Sequence, residues 1–304
     1  MTMTERWLAI VNPAAGGGRC AELAAPALAR LRAAGLTIDE ARTAAPGEAK
    51  RLAREAYASG TRRFMAVGGD GTSYEIVNGL LPAALGARDG ERPRLGFLPL
   101  GTGNSFLRDF GDRGAEQAVE ALVGGRSRAC DVVRLQHDQG ELFFINLMSA
   151  GFVADVATTA NRRFKRVGAA GYGLAVVLET GSLSPRDFRM RVDGGTPWEQ
   201  KVTFVSFSNS RYTGGKMLMA PFADTADGKL DVIVAGAMGR LALLAAFPKI
   251  FSGSHVHLTS ITCSQARCVE IDADAPMDLM IDGEVERHRP TRLEVLPAAI
   301  DVSV

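Results

Sequence analysis

Very little in this 304-residue chain points to covalent bracing, a membrane span or a charged field. Its four cysteines (Cys20, Cys130, Cys263 and Cys268) form no disulfide framework by number or spacing. Lysine and arginine total 35 against 34 acidic residues, so there is no global basic field to hold nucleic acid, and any membrane contact has to be local. The longest apolar stretch near a helix, Leu241 to Phe247, lies between Arg240 and Pro248-Lys249 and is far short of the roughly 20 residues that cross a bilayer. The polar, Met-led start lacks the charged and apolar regions of a secretory signal, which predicts a cytoplasmic protein. No internal repeat, low-complexity tract or GxxxxGK[ST] phosphate loop occurs. What remains is an ordinary globular composition on a length suggesting about two domains.

The most informative segment present is Phe64 to Thr72, FMAVGGDGT. A short apolar run of this kind suits a buried parallel strand. Gly68, Gly69 and Gly71 are expected to let the following turn take φ > 0 and bring backbone close to a ligand. Thr72 is placed to cap a helix over Ser73 to Gly79, aiming unpaired N–H groups and a positive dipole end at phosphates. Asp70 adds a negative charge there, which makes sense mainly with a cation or a substrate hydroxyl in between. A tight strand-to-helix turn would leave the same trace.

Through the first 135 residues, apolar runs (WLAIV, TIDEA, FMAV, LGFLPL) alternate with helical stretches near Ala21 to Ala34, Gly47 to Ser59, after GGDGT, and Ala115 to Val123. That alternation predicts a parallel sheet with ligands beyond the carboxyl ends of its strands. Three such ends carry polar, glycine-rich loops: Asn12 to Gly18, GGDGT, and Gly101 to Ser105. From about Asp131 the chain turns to strand-like runs, among them LFFINLMSA, KVTFVSFSN, LDVIVAG, HVHLTSI and MDLMID, which predict an antiparallel sheet or sandwich. Val153 to Val177 and Met238 to Ile250 read as helical interruptions. The expected domains are residues 1–135, α/β and nucleotide-binding, and 136–304, β-rich and sandwich-like, with the C-terminal tail able to return to the first.

Together NPAAGG (Asn12 to Gly17), GGDGT followed by EIVNGL, LPLGTGN (Leu98 to Asn104), SNSRYTGGKMLMAP (Ser208 to Pro221), ADGKLDV (Ala226 to Val232) and DGE (Asp282 to Glu284) resemble the diacylglycerol kinase catalytic-domain family, which includes bacterial soluble lipid kinases and sphingosine kinases. The resemblance covers nearly the whole chain. It implies an NAD kinase-like parallel sheet joined to a β-rich domain, with ATP and Mg²⁺ as cofactors and a lipid hydroxyl as phosphoryl acceptor. ATP contacts would fall on Asn12, Pro13, Ala14, Ala15, Gly16, Thr43, Gly68, Gly69, Asp70, Gly71, Thr72 and Thr102. A structural magnesium loop would match Asp224 to Lys229, with a carboxylate from Asp227 and backbone carbonyls from Asp224 and Lys229. Glu284, or its neighbour Asp282, matches the general base.

Two positions depart from the family pattern: Tyr74 stands where Asn is usual, and Ser105 replaces a carboxylate expected to organise a magnesium and water network with Asp70 and Asp131. Asp282-Gly283 and Asp227-Gly228 also read as type I′ hairpin turns. The basic segment Asn161 to Val167 (NRRFKRV) could rest on anionic headgroups or form a solvated helix face, and Met238 to Phe251 could meet lipid or the core. His255, His257, Cys263 and Cys268 fall outside common zinc spacings, and alternating strand residues account for them better. The implied partner is a lipid at a membrane surface, reached by transient peripheral contact, with no nucleic acid and with a homodimer left open. A kinase of a soluble acceptor such as NAD, which shares GGDGT, and a nucleotide or lipid binder without turnover are the alternatives.

Overall fold

A computed structural model of the protein describes residues 6–87, 91–164 and 169–304. Cα packing divides the chain into two units, Met1–Cys130 with Ala298–Val304, and Asp131–Pro297.

In the first unit the strands β1 (Arg6–Val11), β2 (Thr37–Arg42), β3 (Arg63–Gly68) and β4 (Arg94–Pro99) alternate with the helices α1 (Arg19–Ala33), α2 (Glu48–Ala58), α3 (Asp70–Leu80) and α4 (Ala115–Gly124). The sheet runs β2-β1-β3-β4, all parallel, and the returning C-terminal residues Asp301 and Val302 pair in parallel with Arg94 and Leu95. Helix α1 buries Cys20, Ala24, Leu28 and Leu31, one stripe at helical spacing, in a cluster with Trp7, Ala9, Val11, Met65 and Val67 of the sheet. Each such fully buried leucine contributes about 1.5–3 kcal/mol. Strand β3 is buried along nearly its whole length, as a parallel strand covered on both faces must be.

The second unit opens on β5 (Ser127–His137), most of which lies within it, and continues through β6 (Gly140–Phe144), β7 (Leu147–Gly151), α5 (Phe152–Thr159) and α6 (Ala169–Gly181). There follow β8 (Arg186–Val192), β9 (Trp198–Ser208), β10 (Tyr212–Thr213), β11 (Met217–Leu218), β12 (Leu230–Gly236), α7 (Arg240–Ala246) and β13 (Ile261–Ala266). The chain ends in β14 (Cys268–Ile271), β15 (Met277–Ile281), β16 (Glu284–His288) and β17 (Pro290–Ser303). Antiparallel ladders run β16-β15-β7-β9-β8-β14-β17, and β9 branches through β12 to β13. Among the described residues, no helix is long and apolar enough to cross a membrane.

Several elements differ from the sequence reading for local reasons. LFFINLMSA is two strands, broken at Ile145 and Asn146, whose N–H groups turn to a side chain instead of a ladder. HVHLTSI is not a strand at its start: Ser254–His257 is a 3₁₀ turn after a left-handed Gly253, with His255 buried and its Nε2 3.0 Å from the Met219 carbonyl. The expected helix from Val153 to Val177 is α5, a π-helical turn over Ala160–Phe164, and α6. Within NRRFKRV, Arg162 and Arg163 are exposed on that turn, and 165–167 lie outside the described residues. In helix α7 Leu243 is buried in the core, as a core-facing helix requires, while Leu241 and Leu244 are exposed.

Candidate functional site

In the first unit three strand ends bring the glycine-rich loops side by side. The Asn12 amide N–H reaches the Val67 carbonyl at 2.9 Å, and its side-chain Nδ2 donates to Thr72 Oγ1 at 3.3 Å. Asn12 Oδ1 accepts the Ala14 N–H, which folds Pro13, Ala14 and Ala15 into a turn leading to α1. Gly16 stands at φ +64°, and a Cβ there would lie 2.6 Å from the Leu100 carbonyl oxygen, so this position excludes a side chain twice over. Thr43 lies beside the same strand end through its N–H to the Val11 carbonyl at 2.9 Å.

The GGDGT turn corrects two expectations. Gly68, Gly69 and Gly71 do not adopt positive φ, and Gly69 is extended at −122°. At Gly68 and Gly69 the need for glycine is close approach. A Cβ on Gly68 would meet Thr72 Oγ1 at 2.3 Å, and one on Gly101 would meet the Gly69 Cα at 2.4 Å. The Gly101 N–H to the Gly68 carbonyl, at 2.7 Å, locks the two loops backbone to backbone. Helix α3 begins at Asp70 with Gly69 as its cap, so Thr72 sits inside the first turn and does not cap it; its hydroxyl is used by Asn12. The result is two helix N-termini, α1 and α3, joined across neighbouring strands, an arrangement suited to polyphosphate.

Asp70 is partly buried, and its Oδ2 accepts the Ser105 N–H at 2.8 Å. Desolvation pushes its pKa up, while bonds from the Ser105 N–H and hydroxyl and the Phe106 N–H pull it back. Ser105 therefore holds Asp70 as a donor, where a second carboxylate would have repelled it. Asn104 takes φ +49° and returns its Nδ2 to the Gly101 carbonyl at 3.0 Å, which leaves Thr102 exposed at the tip of the loop. Tyr74 is buried, and its carbonyl accepts Asn78 Nδ2 at 2.9 Å.

The second unit assembles its candidates around a buried polar chain. Asp131 Oδ2 accepts the Gly228 N–H and the Asp131 N–H binds the Thr225 carbonyl, both at 2.7 Å, fixing the loop from Asp224 to Lys229. Asp224 Oδ1 accepts the Ala226 N–H at 3.1 Å and Asp227 Oδ1 accepts the Lys229 N–H at 2.9 Å. Only Gly228 of the Asp227-Gly228 pair is left-handed, so this is not a type I′ turn. Nearby Asp231 is pushed up to about 6, mainly by burial and further by the Asp227 charge, against the pull of a Gln265 hydrogen bond. Asn209 Nδ2 spans the Asp131 and Ile145 carbonyls at 3.0 and 2.7 Å.

Asp282 closes the chain. It accepts the N–H groups of Ile145, Asn146 and Leu147 at 2.9–3.0 Å, is buried, and takes φ +47° before the left-handed Gly283. Its lone pairs serve the broken strand, so its reading as an alternative proton acceptor is corrected to that of a clamp. The hairpin-turn reading holds here: Ile281 pairs with Glu284 across the two-residue loop, and Glu284 lies exposed at the first position of β16.

Glu75 was not found from sequence. Its carboxylate accepts the Gly47 and Ala49 N–H groups at 2.8 and 3.0 Å, pinning the start of α2 to α3. Asn146 and Asn209 were missed as partners, although an asparagine inside the apolar FINLMSA run was the available signal. Arg19, whose Nε donates to the Gly16 carbonyl at 3.1 Å, is a cation at the first loop that no motif announced.

The donor sets fit a hard cation, since both candidate places offer only oxygen: the Asp70 carboxylate, and the Asp227 carboxylate with the loop carbonyls. Residues 6–135 match the diacylglycerol kinase catalytic domain, and residues 146–304 match the YegS C-terminal NAD kinase beta sandwich-like domain. A diacylglycerol kinase of Mycobacterium tuberculosis is 33% identical over 297 residues, covering 97% of this chain and 93% of that protein. A protein of Chromohalobacter salexigens assigned as a YegS-like lipid kinase is 31% identical, covering 90% of this chain and 86% of its own. The solved structure of a Bacillus anthracis protein assigned as a diacylglycerol kinase superposes with a TM-score of 0.78 at 26% identity, covering all of this chain and 98% of the other.

Proposed function

Because this chain belongs to the lipid kinase family of diacylglycerol kinase catalytic domains with a YegS-type C-terminal domain, we propose that it transfers the γ-phosphoryl group of ATP, with Mg²⁺, to the hydroxyl of diacylglycerol or a related lipid alcohol. The observation that carries the lipid assignment is an apolar cavity in the second unit. Phe152, Val153, Val156, Phe204, Met217 and Leu243 are among its walls. The hydrophobic cluster that includes these residues also packs Val285, the neighbour of Glu284 on β16, so the apolar walls and the proposed base belong to the same part of the second unit. A soluble acceptor such as NAD would find few polar partners on those walls.

The residues divide the reaction among themselves. Backbone N–H groups of the Asn12 to Gly16 loop and of the α3 start hold the phosphates, with Thr43 and Thr102 at the edges of the nucleotide site. Asp70 would hold Mg²⁺, which when bound supplies charge neutralisation on the transferred group, and the Asp224 to Lys229 loop would hold a second, structural cation through Asp227 and the Asp224 and Lys229 carbonyls. Glu284 takes the proton of the acceptor hydroxyl as its oxygen bonds to the γ-phosphorus and the bond to ADP breaks. Asp282 positions that glutamate by fixing the turn.

Substituting Glu284→Gln is expected to lower kcat by about 10²–10⁴-fold, the usual contribution of a general base. ATP affinity, measured by calorimetry, should stay within about twofold. Turnover unchanged in the variant would remove Glu284 from this role. A wild type that binds ATP but has no turnover on any acceptor would favour the non-catalytic alternative.

A further inference from the structure

Away from the proposed site, the turn between β5 and β6 meets the junction of β16 and β17. One ligand atom from each of His137, Asp138 and His288 lies within 4.8 Å of the others. The two imidazole rings are 3.9 Å apart, centre to centre, tilted by 40°. The turns are joined by three hydrogen bonds: Asp138 N–H to the Arg289 carbonyl at 3.1 Å, Arg289 N–H to Asp138 Oδ1 at 3.0 Å, and Thr291 Oγ1 to the Gln136 carbonyl at 3.1 Å. The side chains therefore converge from a braced frame.

His288 carries the second observation. Its Nε2 sits 2.9 Å from Glu286 Oε2, an arrangement in which the N–H donates to the carboxylate and the lone pair is left on Nδ1. That Nδ1 is buried and has no hydrogen-bond partner among the described residues. A carboxylate that orients an imidazole and leaves its other nitrogen bare is the outer arrangement of metal-ligating histidines. Nothing in the kinase reading uses these groups.

We propose that His137, Asp138 and His288, with Glu286 behind His288, form a binding site for a first-row divalent transition ion of the Zn²⁺ class. Two imidazoles and one carboxylate suit such an ion better than Mg²⁺, which prefers oxygen alone. Bonds of about 2.0–2.2 Å in a tetrahedral site separate ligand atoms by about 3.4 Å, so closure asks each side chain to move by about an ångström. Asp138 is exposed and gives the ion an entry path. Glu284 and His288 are the two ends of β16, about 13 Å apart, so a bound ion would brace the strand that carries the proposed base.

The test titrates Co²⁺ into chelator-treated full-length protein without nucleotide or Mg²⁺. Expected is one equivalent of a four- or five-coordinate visible absorption, displaced by Zn²⁺, with a Zn²⁺-dependent rise in Tm. His288→Ala and Asp138→Asn should each abolish the signal, and Glu286→Gln should weaken Zn²⁺ binding about 10–100-fold. A Cys263→Ser, Cys268→Ser double variant should keep it. Near-UV circular dichroism checks each fold, and if His288→Ala does not fold, Asp138→Asn and Glu286→Gln carry the decision. Absence of the absorption in wild type, or its persistence unchanged in the folded variants, overturns the proposal.

Discussion

Asp282 and Glu284 stand two positions apart on one turn, yet their surroundings differ sharply. Asp282 is buried with three backbone N–H groups on its carboxylate, whereas Glu284 is exposed at the start of a strand. Removing the first should damage the fold. Asp282→Ala leaves those donors buried without an acceptor, so urea unfolding is expected to show a loss of about 3 kcal/mol or more, since each orphaned group costs about 1–3 kcal/mol. Glu284→Gln should change stability by less than about 0.5 kcal/mol, as exposed substitutions do. Equal destabilisation by both would mean that the turn does not separate clamp from base. DGE itself was legible as a motif, but which of its acids is buried depends on Ile145 to Leu147, far away in sequence.

At the level of elements, the glycine-rich loops are defined by how closely strand ends approach. Gly101 and Gly69 touch backbone to backbone, with no flexible side chain to give way. Gly101→Ala is therefore expected to cost about 1–3 kcal/mol in stability through overpacking and to weaken ATP binding at least tenfold, read by thermal unfolding and calorimetry. Unchanged ATP affinity would show that these loops do not form the phosphate site. Alternation of apolar runs and helical stretches revealed the first unit's elements, because a parallel sheet with crossovers writes its period directly into the chain. The second unit was less legible. Its breaks come from tertiary hydrogen bonds, such as Asp282 on the β6–β7 gap, and HVHLTSI alternates like a strand while Gly253 and the buried His255 fold it as a turn. Of the two reasons the sequence offers for the GGDGT glycines, positive φ is not used, and for Gly68 the constraint is the space beside Thr72.

For the molecule as a whole, a lipid substrate requires a meeting with a membrane. Helix α6 exposes Leu174, Val177 and Leu178 at helical spacing, and α7, which packs on it, exposes Leu241 to 84% and Leu244 to 38%. An apolar stripe left in water on two adjoining helices is suited to an interfacial contact. The pair Val177→Asp, Leu241→Asp should lower co-sedimentation with vesicles and raise KM for vesicle-borne diacylglycerol several-fold, while turnover on a short-chain, monomeric diacylglycerol stays the same. Loss of turnover on the short-chain lipid would place the stripe in the fold or the substrate pocket instead.

The central claim is met most directly by following label from [γ-³²P]ATP with Mg²⁺ into diacylglycerol, monoacylglycerol, phosphatidylglycerol, sphingosine and ceramide in mixed micelles, with NAD in solution beside them. The account predicts a labelled lipid, diacylglycerol or a close relative among them, whose label disappears with Glu284→Gln. Label in NAD alone would contradict it.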